Sequence, residues 1–252
     1  ASGASALQFN TTGFNNTANG FYALRSNTTG NDNTASGYFA LMSNTGSRNT
    51  ASGVQALLSN TGAGDNTAIG YRALYSNTTG LQNSAIGSEA LYSNTAGDFN
   101  TASGRQALRS NSTGNENTAN GYLALRSNTT GKQNTASGVQ ALLSNTAGIQ
   151  NSAIGHEALY SNTSGSYNSA MGFSAGRYQA NGITPLTTAS YSVYIGHRAR
   201  GLDDFDNNSI VIGASAIGLG ANSVVLGNDS IVTTALKGNV GIGTTSPQQR
   251  LE

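Results

Sequence analysis

Small and apolar residues recur along this chain with a 17-residue period, and one phrase is repeated with few changes. One copy, which begins at Asn33, is a single residue shorter, a truncated copy precedes the series, and a degenerate copy follows it at Asn168. Self-similarity at a short fixed period is typical of a solenoid, in which each repeat forms one coil. The complete copies begin at Asn16, Asn33, Asn49, Asn66, Asn83, Asn100, Asn117, Asn134 and Asn151.

Within one copy, numbered 1 to 17 from its leading Asn, small and variable positions alternate as they do in a β-strand. Positions 1, 3, 5, 8, 9, 11 and 12 are Asn, Ala, Gly, Ala, Leu, Ser and Asn in all nine copies. The Ala-Leu-Tyr-Ser run around Leu74 predicts a second short strand, and Asn77-Thr-Thr-Gly80 has the chemistry of a turn. The sequence therefore predicts an all-β parallel β-solenoid with two strands and two turns per coil. About ten coils at ~4.8 Å each give a rod roughly 50 Å long.

In such a stack, the side chains at one repeat position form a file that runs from coil to coil. We expect the Asn amides to hydrogen-bond along the stack, and the small Ala and Gly residues to let the walls of a coil approach closely. The structural ladder predicted for two central coils consists of Asn66, Gly70, Leu74, Asn77, Asn83, Gly87, Leu91 and Asn94.

The Leu file at position 9 bears on assembly. At roughly 25 cal/mol per Å² of buried apolar surface, one Leu per coil stabilises a single chain only modestly. We therefore expect this file also to contact partner chains in a closed cyclic assembly. The alternative is that Leu fills the interior of a monomer. The file consists of Leu24, Leu41, Leu57, Leu74, Leu91, Leu108, Leu125, Leu142 and Leu159.

The phrase breaks down near Gly172 and returns in another form. Residues 1–176 are predicted to form the 17-residue-repeat solenoid, and residues 177–194, with Pro185, an inserted loop. Val- and Ile-rich segments then follow, two of them separated by a 14-residue step, and predict a β-roll over residues 195–237.

Three motifs resemble known surface proteins. Asn208-Ser-Ile-Val-Ile-Gly-Ala-Ser-Ala216 resembles the 14-residue unit of YadA-like heads in trimeric autotransporter adhesins. Gly238-Asn-Val-Gly-Ile-Gly-Thr-Thr-Ser-Pro247 is similar to the segment that precedes a self-cleaving intramolecular chaperone domain in phage tail fibres. The 17-residue units are similar to the Asn-Thr-Ala-x-Gly-x-x-Ala-Leu repeats of that tail-fibre-like group. The resemblance implies a homotrimeric left-handed β-roll, an extracellular location on a phage virion or a bacterial cell, and a role in attachment. It also implies that residues 238–252 are a neck that leads to a C-terminal chaperone or stalk.

The composition limits the kinds of partner that the chain can bind. Only 9% of the residues are charged, the formal net charge is +1, and Cys is absent. The chain has no basic patch of the density that nucleic acid requires, so we predict no nucleic-acid partner. No apolar run approaches the ~18 residues of a membrane span, so we predict no membrane insertion. The strict repeat argues against disorder.

No combination of residues predicts catalysis, a metal or a cofactor. His156 and His197 lie far apart in variable positions, and no Ser has a plausible His and acid beside it. Asp204-x-Asp206-x-Asn208 resembles the start of a calcium loop but lacks the later Gly and Glu, so we favour a solvated loop. We therefore expect a non-enzymatic protein without a metal or cofactor.

Two kinds of surface remain as candidates for binding. The variable positions 6, 7 and 10 carry aromatic residues and Arg, which suit a host glycan or receptor, although drift also produces such variation. The candidate binding residues are Tyr22, Phe39, Tyr71, Arg72, Tyr75, Tyr92, Tyr122 and Tyr160.

The Ser and Thr residues at positions 2 and 13 form two hydroxyl ladders, such as the files that contain Thr67 and Thr78. An exposed array of hydroxyls suggests ice binding, whereas hydrogen bonds to neighbouring backbone are the simpler interpretation. The sequence therefore predicts a trimeric fibre or adhesin segment for attachment to a host cell or surface. The alternative is an ice-binding or purely structural fibre.

Overall fold

A computed structural model describes residues 1–234, and the predicted neck at 238–252 lies outside them. Thirteen strands form one parallel sheet in chain order, and no helix occurs in the described part of the chain. The all-β parallel β-solenoid predicted from the repeat is confirmed. The strands are β1 (Thr17–Asn19), β2 (Thr34–Ser36), β3 (Thr50–Ser52), β4 (Thr67–Ile69), β5 (Ser84–Ile86), β6 (Thr101–Ser103), β7 (Thr118–Asn120), β8 (Thr135–Ser137), β9 (Ser152–Ile154), β10 (Ser169–Met171), β11 (Val193–Ile195), β12 (Ile210–Ile212) and β13 (Val224–Leu226).

Each strand occupies repeat positions 2 to 4 and pairs with equivalent positions of the next coil. In β4 and β5, for example, Ala68 lies opposite Ala85. The central Ala is buried and its two neighbours face outward, as the alternation of a strand requires. A one-residue slip would expose the Ala file and bury the polar residues beside it, so the hydrophobic pattern fixes the register.

The second strand expected around Leu74 is absent from the described coils, and that prediction is wrong. Turns take its place: the Ala73 N–H bonds the Gly70 carbonyl (3.3 Å), and the Asn77 N–H bonds the Leu74 carbonyl (3.2 Å). Arg72 and Leu74 have φ values of 54° and 50°, in the left-handed region. The sheet therefore covers one side of each coil, and turns build the rest.

These left-handed residues are held by hydrogen bonds along the stack. The Arg72 N–H donates to Val54 O in the preceding coil, and the Leu74 N–H donates to Ala90 O in the following coil, both at 3.0 Å. A left-handed conformation costs roughly 1–2 kcal/mol for a residue with a Cβ. Because neighbouring coils repeat the same geometry, each residue in the left-handed conformation gains a backbone hydrogen bond that offsets this cost.

The interior consists mainly of Ala and Leu side chains. The Leu file is buried throughout, at 0–2% exposure within the single chain. The expectation that this file contacts partner chains is therefore wrong. Leu instead packs with the Ala residues of positions 3 and 8 inside each coil.

Two files of buried Asn side chains run beside this apolar interior. The Asn94 amide nitrogen donates to the side-chain oxygen of Asn77 (2.8 Å) and to the Gly97 carbonyl (3.0 Å). The same carbonyl accepts from the amide of Asn83, which begins the same coil (2.8 Å). Asn111 in turn donates to the Asn94 side-chain oxygen at 2.8 Å. One backbone carbonyl per coil thus joins the two Asn files, and buried turn backbone gains hydrogen-bond partners.

The stack continues through the break in the repeat. Most successive strands are related by a 17-residue step, but β10 to β11 takes a 24-residue step and β12 to β13 a 14-residue step. The added residues form a projection closed by an antiparallel bridge between Tyr178 and Pro185. β11 begins at Val193, inside the end of the loop predicted over residues 177–194.

Replacing Gly87 by Ala should strongly destabilise the stack. Gly87 has φ 130°, and an added Cβ would lie 2.6 Å from Gly104 O and 2.7 Å from Gly104 C in the next coil. Backbone strain of about 1–3 kcal/mol is then joined by overpacking of a similar size. We expect the midpoint of thermal unfolding, followed by circular dichroism, to fall by at least ~4 °C.

Gly62→Ala is the matched control, because nothing lies within 4 Å of an added Cβ at Gly62. Its unfolding midpoint should stay within about 2 °C of the wild type. An equal effect of the two substitutions would contradict the close contact between Gly files.

Asn94→Asp tests the buried amide ladder with almost no change in side-chain shape. An Asp side chain supplies no amide donor for Asn77 or the Gly97 carbonyl, and an ionised carboxylate would be buried beside these acceptors. We expect a loss of about 3 kcal/mol or more in the free energy of unfolding, measured by denaturant titration. Asn120→Asp, on the exposed side of β7, should change it by less than about 0.5 kcal/mol. Similar losses in both variants would contradict a ladder role.

Candidate functional site

The eight candidate binding residues lie on one outer surface, which we call the corner face and define as repeat positions 6, 7 and 10. The Gly at position 5 ends each strand with a positive φ, and the chain then turns outward into this face. Tyr71 and Tyr122 are 45% and 43% exposed. The other six candidates are half-buried, because neighbouring side chains of the same files cover them.

At the N-terminal end of the corner face, aromatic rings of successive coils stack on each other. The Phe21 and Tyr38 rings lie 5.4 Å apart between centroids, and so do the Tyr22 and Phe39 rings. The Arg25 guanidinium lies 4.6 Å from the Tyr22 ring centroid. Sequence reasoning selected Tyr22 and Phe39 but missed Phe21 and Tyr38, which are more exposed. Their place at position 6, shared with Tyr71, is the signal that would have identified them.

The middle of the corner face alternates aromatic rings with guanidinium groups. Arg72 lies 5.0 Å from the Tyr71 ring centroid and 5.5 Å from that of Tyr75. The Tyr75 and Tyr92 rings stack at 5.1 Å, and Arg109 lies 5.2 Å from the Tyr92 centroid. Cation–π contacts of this kind hold both partners in place at the surface. Tyr71, Arg72, Tyr75 and Tyr92 are thus brought together into one patch.

One ion pair anchors this patch. The Arg109 Nε donates to the Glu89 carboxylate at 2.8 Å, and Gln106 donates to the same oxygen at 2.9 Å. The hydrogen bond from Arg109 is the main cause that holds the pKa of Glu89 below its ordinary value. Glu89 is therefore ionised at neutral pH and acts as a hydrogen-bond acceptor in this geometry.

The C-terminal part of the corner face brings the two His residues to one aromatic ring. His156 stacks on Phe173 with centroids 5.1 Å apart, and His197 stacks on the same ring at 5.3 Å. The expectation that the two lie far from each other is wrong, because the chain between them spans only two coils. Tyr160, the remaining candidate in this region, lies 4.3 Å from the Arg177 guanidinium.

The two hydroxyl ladders have different environments. At position 13, Thr78 Oγ1 donates to Thr95 O (2.9 Å) and Thr95 Oγ1 donates to Ser112 O (3.1 Å). These hydroxyls therefore bond neighbouring backbone, as the simpler interpretation of the ladders predicts. The position-2 file lies on the outer side of the sheet, where Thr17, Thr101 and most of its other members are exposed. This outer side, formed by repeat positions 2 and 4, is called the sheet face below.

The acidic segment around Asp204 uses its carboxylates within the fold. Asp204 accepts from the Thr187 N–H (2.6 Å) and from the Thr187 hydroxyl (2.8 Å). The buried Asp206 carboxylate accepts from the Leu202 N–H at 3.0 Å. Asn208 donates instead to Asn222 in the next coil. The three side chains have separate partners, and no group of three or more His, Cys, Asp or Glu suited to a metal occurs among residues 1–234.

Comparisons with known proteins give no family model, no curated protein and no solved structure that matches this chain. Within the described residues, no helix has the length and apolar character needed to cross a membrane.

Proposed function

We propose that this chain is a rigid segment of a homotrimeric, tail-fibre-like or adhesin-like surface protein that attaches a phage virion or a bacterial cell to its host. The observation that carries this proposal is the continuous stack of thirteen strands in one register. Hydrogen bonds from turns as well as strands link every coil to the next, which suits a stiff rod that holds its two ends a fixed distance apart. The proposed role is display and attachment, without catalysis or a cofactor.

The sheet face supports the trimeric part of the proposal. Its position-4 residues change from mostly Ser and Asn in the first coils to apolar residues in every coil from β9 onward. Met171 is 52% exposed and, with Ile154 and Ile195, lines a shallow depression of about 190 Å³. Parallel sheets are normally covered on both faces, so an exposed apolar face favours contact with another surface. Another copy of the chain presents side chains at the same coil spacing. The resemblance of the motif at Asn208 to YadA-like heads is the reason to propose three chains and a left-handed roll.

The corner face supports the attachment part of the proposal. It carries Tyr rings and Arg guanidinium groups whose positions are fixed by stacking, and Tyr71 remains well exposed. Rigid aromatic and Arg side chains bind with little loss of conformational entropy, and three identical chains multiply weak contacts. A glycan or receptor on the host surface is the proposed ligand.

A second candidate function is ice binding. In the described coils, most hydroxyls of the position-2 file are exposed on the sheet at the spacing of the coils, whereas those of position 13 bond backbone carbonyls. Apolar Ile69 and Ile86 interrupt the polar part of this face. That interruption makes attachment the better-supported function.

Mass measurement by light scattering tests the trimer. We expect about three times the 25.6 kDa of one chain. Met171→Asp should shift the mass to that of a monomer while circular dichroism stays unchanged, because a charge would be buried at each contact. Ser52→Asp, at the same position in a polar coil, should remain trimeric. A monomeric wild type in native buffer would refute the trimer.

Binding of the labelled protein to a glycan array and to intact bacterial cells tests attachment, with thermal hysteresis measured on the same sample. We expect Tyr71→Ala to weaken binding at least tenfold, since it removes the most exposed ring of the central patch. Val139→Ala, at the same repeat position, should bind like the wild type. Thermal hysteresis that Thr118→Leu abolishes, without any binding to glycans or cells, would instead favour the ice-binding function.

A further inference from the structure

The interior holds one unusual polar cluster near its C-terminal end, formed by Tyr194, Asp206 and Ser209. All three residues are fully buried. Among the described residues, Asp206 is the only charged side chain in the buried set. Its Oδ1 atom, the Tyr194 hydroxyl and the Ser209 hydroxyl are buried without a hydrogen bond of good geometry. Buried polar groups are rarely left unpaired, so this cluster calls for an explanation.

A change in the apolar files creates the cluster. Tyr194 replaces the usual Ala at position 3 and pairs with Ala170 and Val211 in register. Position 9 of the preceding coil is Gly176 instead of Leu, and an added Cβ there would lie 2.8 Å from both Leu159 Cδ2 and Tyr194 Cδ2. The Tyr194 ring therefore fills the place where the Leu file ends, and it carries a hydroxyl into the interior.

The Asp206 carboxylate is held from several sides by neutral groups. Its Oδ2 accepts from the Leu202 N–H, and ideal Cβ atoms on Gly201 and Gly218 would lie within 2.8 Å of that oxygen. The Asp206 backbone carbonyl accepts from the Ser192 hydroxyl at 2.8 Å. The residue is thus enclosed by successive coils, and its side chain has no room to turn toward solvent.

Charge does not compensate this burial. Burial is the main cause that raises the pKa of Asp206, and the nearby Asp203 carboxylate adds to it. The Leu202 N–H and the Ser209 and Tyr194 hydroxyls act in the opposite direction. Tyr194 is the other titratable group that faces the carboxylate, and burial followed by the Asp206 charge raises its pKa as well. Asp204 is bonded to Thr187, and the Arg200 guanidinium lies beside Gly182 in the projection.

We propose that the Asp206–Tyr194–Ser209 cluster is a pH-sensitive lock on the last coils, closed when the Asp206 carboxyl is neutral and loosened when it ionises. The sign follows from linkage. An opened coil exposes Asp206 to water, where its pKa is ordinary, whereas the closed coil holds the pKa higher. The lock is therefore strongest below the ordinary Asp range. It weakens as the pH rises from that range through the raised value and is constant above it.

Hydrogen exchange of the backbone amides on the full chain tests the lock. The probes are the Gly196 and Gly213 N–H groups, which bond the preceding coils at 2.8 Å, and the Gly104 N–H in the central coils is the internal reference. Between the ordinary and the raised pKa, opening of the last coils should increase up to tenfold per pH unit relative to the reference. Because this comparison uses the wild type, it needs no variant that must fold.

Three variants sharpen the test. Asp206→Asn should exchange like the acidic wild type at every pH, and should therefore be better protected near neutral pH. Tyr194→Phe removes a hydroxyl that acts to lower the pKa of Asp206, so the weakening should extend to higher pH. Asp229→Asn, which changes an exposed carboxylate, should behave like the wild type. Equal pH dependence of the last and central coils in the wild type would overturn the proposal, as would lower protection of Asp206→Asn at neutral pH.

Discussion

The hydrogen bond that runs along the stack, from one coil to the equivalent group of the next, is the interaction on which this structure depends. It involves the strands, the turns and the Asn side chains alike. Each coil has a small interior of Ala and Leu, which alone would stabilise a 17-residue unit poorly. Because the Leu74 and Arg72 N–H groups point to opposite neighbours, a coil is complete only when both neighbours are present. The stability of the solenoid therefore comes mainly from the contacts between adjacent coils.

The sequence was sufficient to predict this stacking because the repeat is nearly invariant where the chain is buried. Ala at position 3, Gly at position 5 and Asn at positions 1 and 12 each have a physical reason to be fixed. The left-handed conformation of Leu74 was not predictable in the same way. Leu rarely adopts it, and only the carbonyl groups of the next coil make it favourable here. That conformation puts a turn where a second strand was expected and directs Leu inward.

The candidate surface was predicted in part for the same reason. Variable positions identified the corner face, since a solenoid tolerates change only where side chains point outward. The contacts within it depend on which coils are adjacent. The stacking of His156 and His197 on Phe173 crosses the long step between β10 and β11, which the regular period does not reveal. The buried place of Tyr194 depends on the missing side chain at Gly176, a pairing visible only in three dimensions.

The projection between Tyr178 and Pro185 shows how this architecture can change through evolution or design. The coil that carries it is longer than its neighbours, yet the sheet on either side keeps its register. The shortened copy at Asn33 keeps the register as well. Length variation is thus confined to the turn side of a coil, while the strand side sets the axial position. A foreign peptide inserted into the turn of a given coil would therefore be displayed at a defined position along the rod, and the choice of coil would set that position.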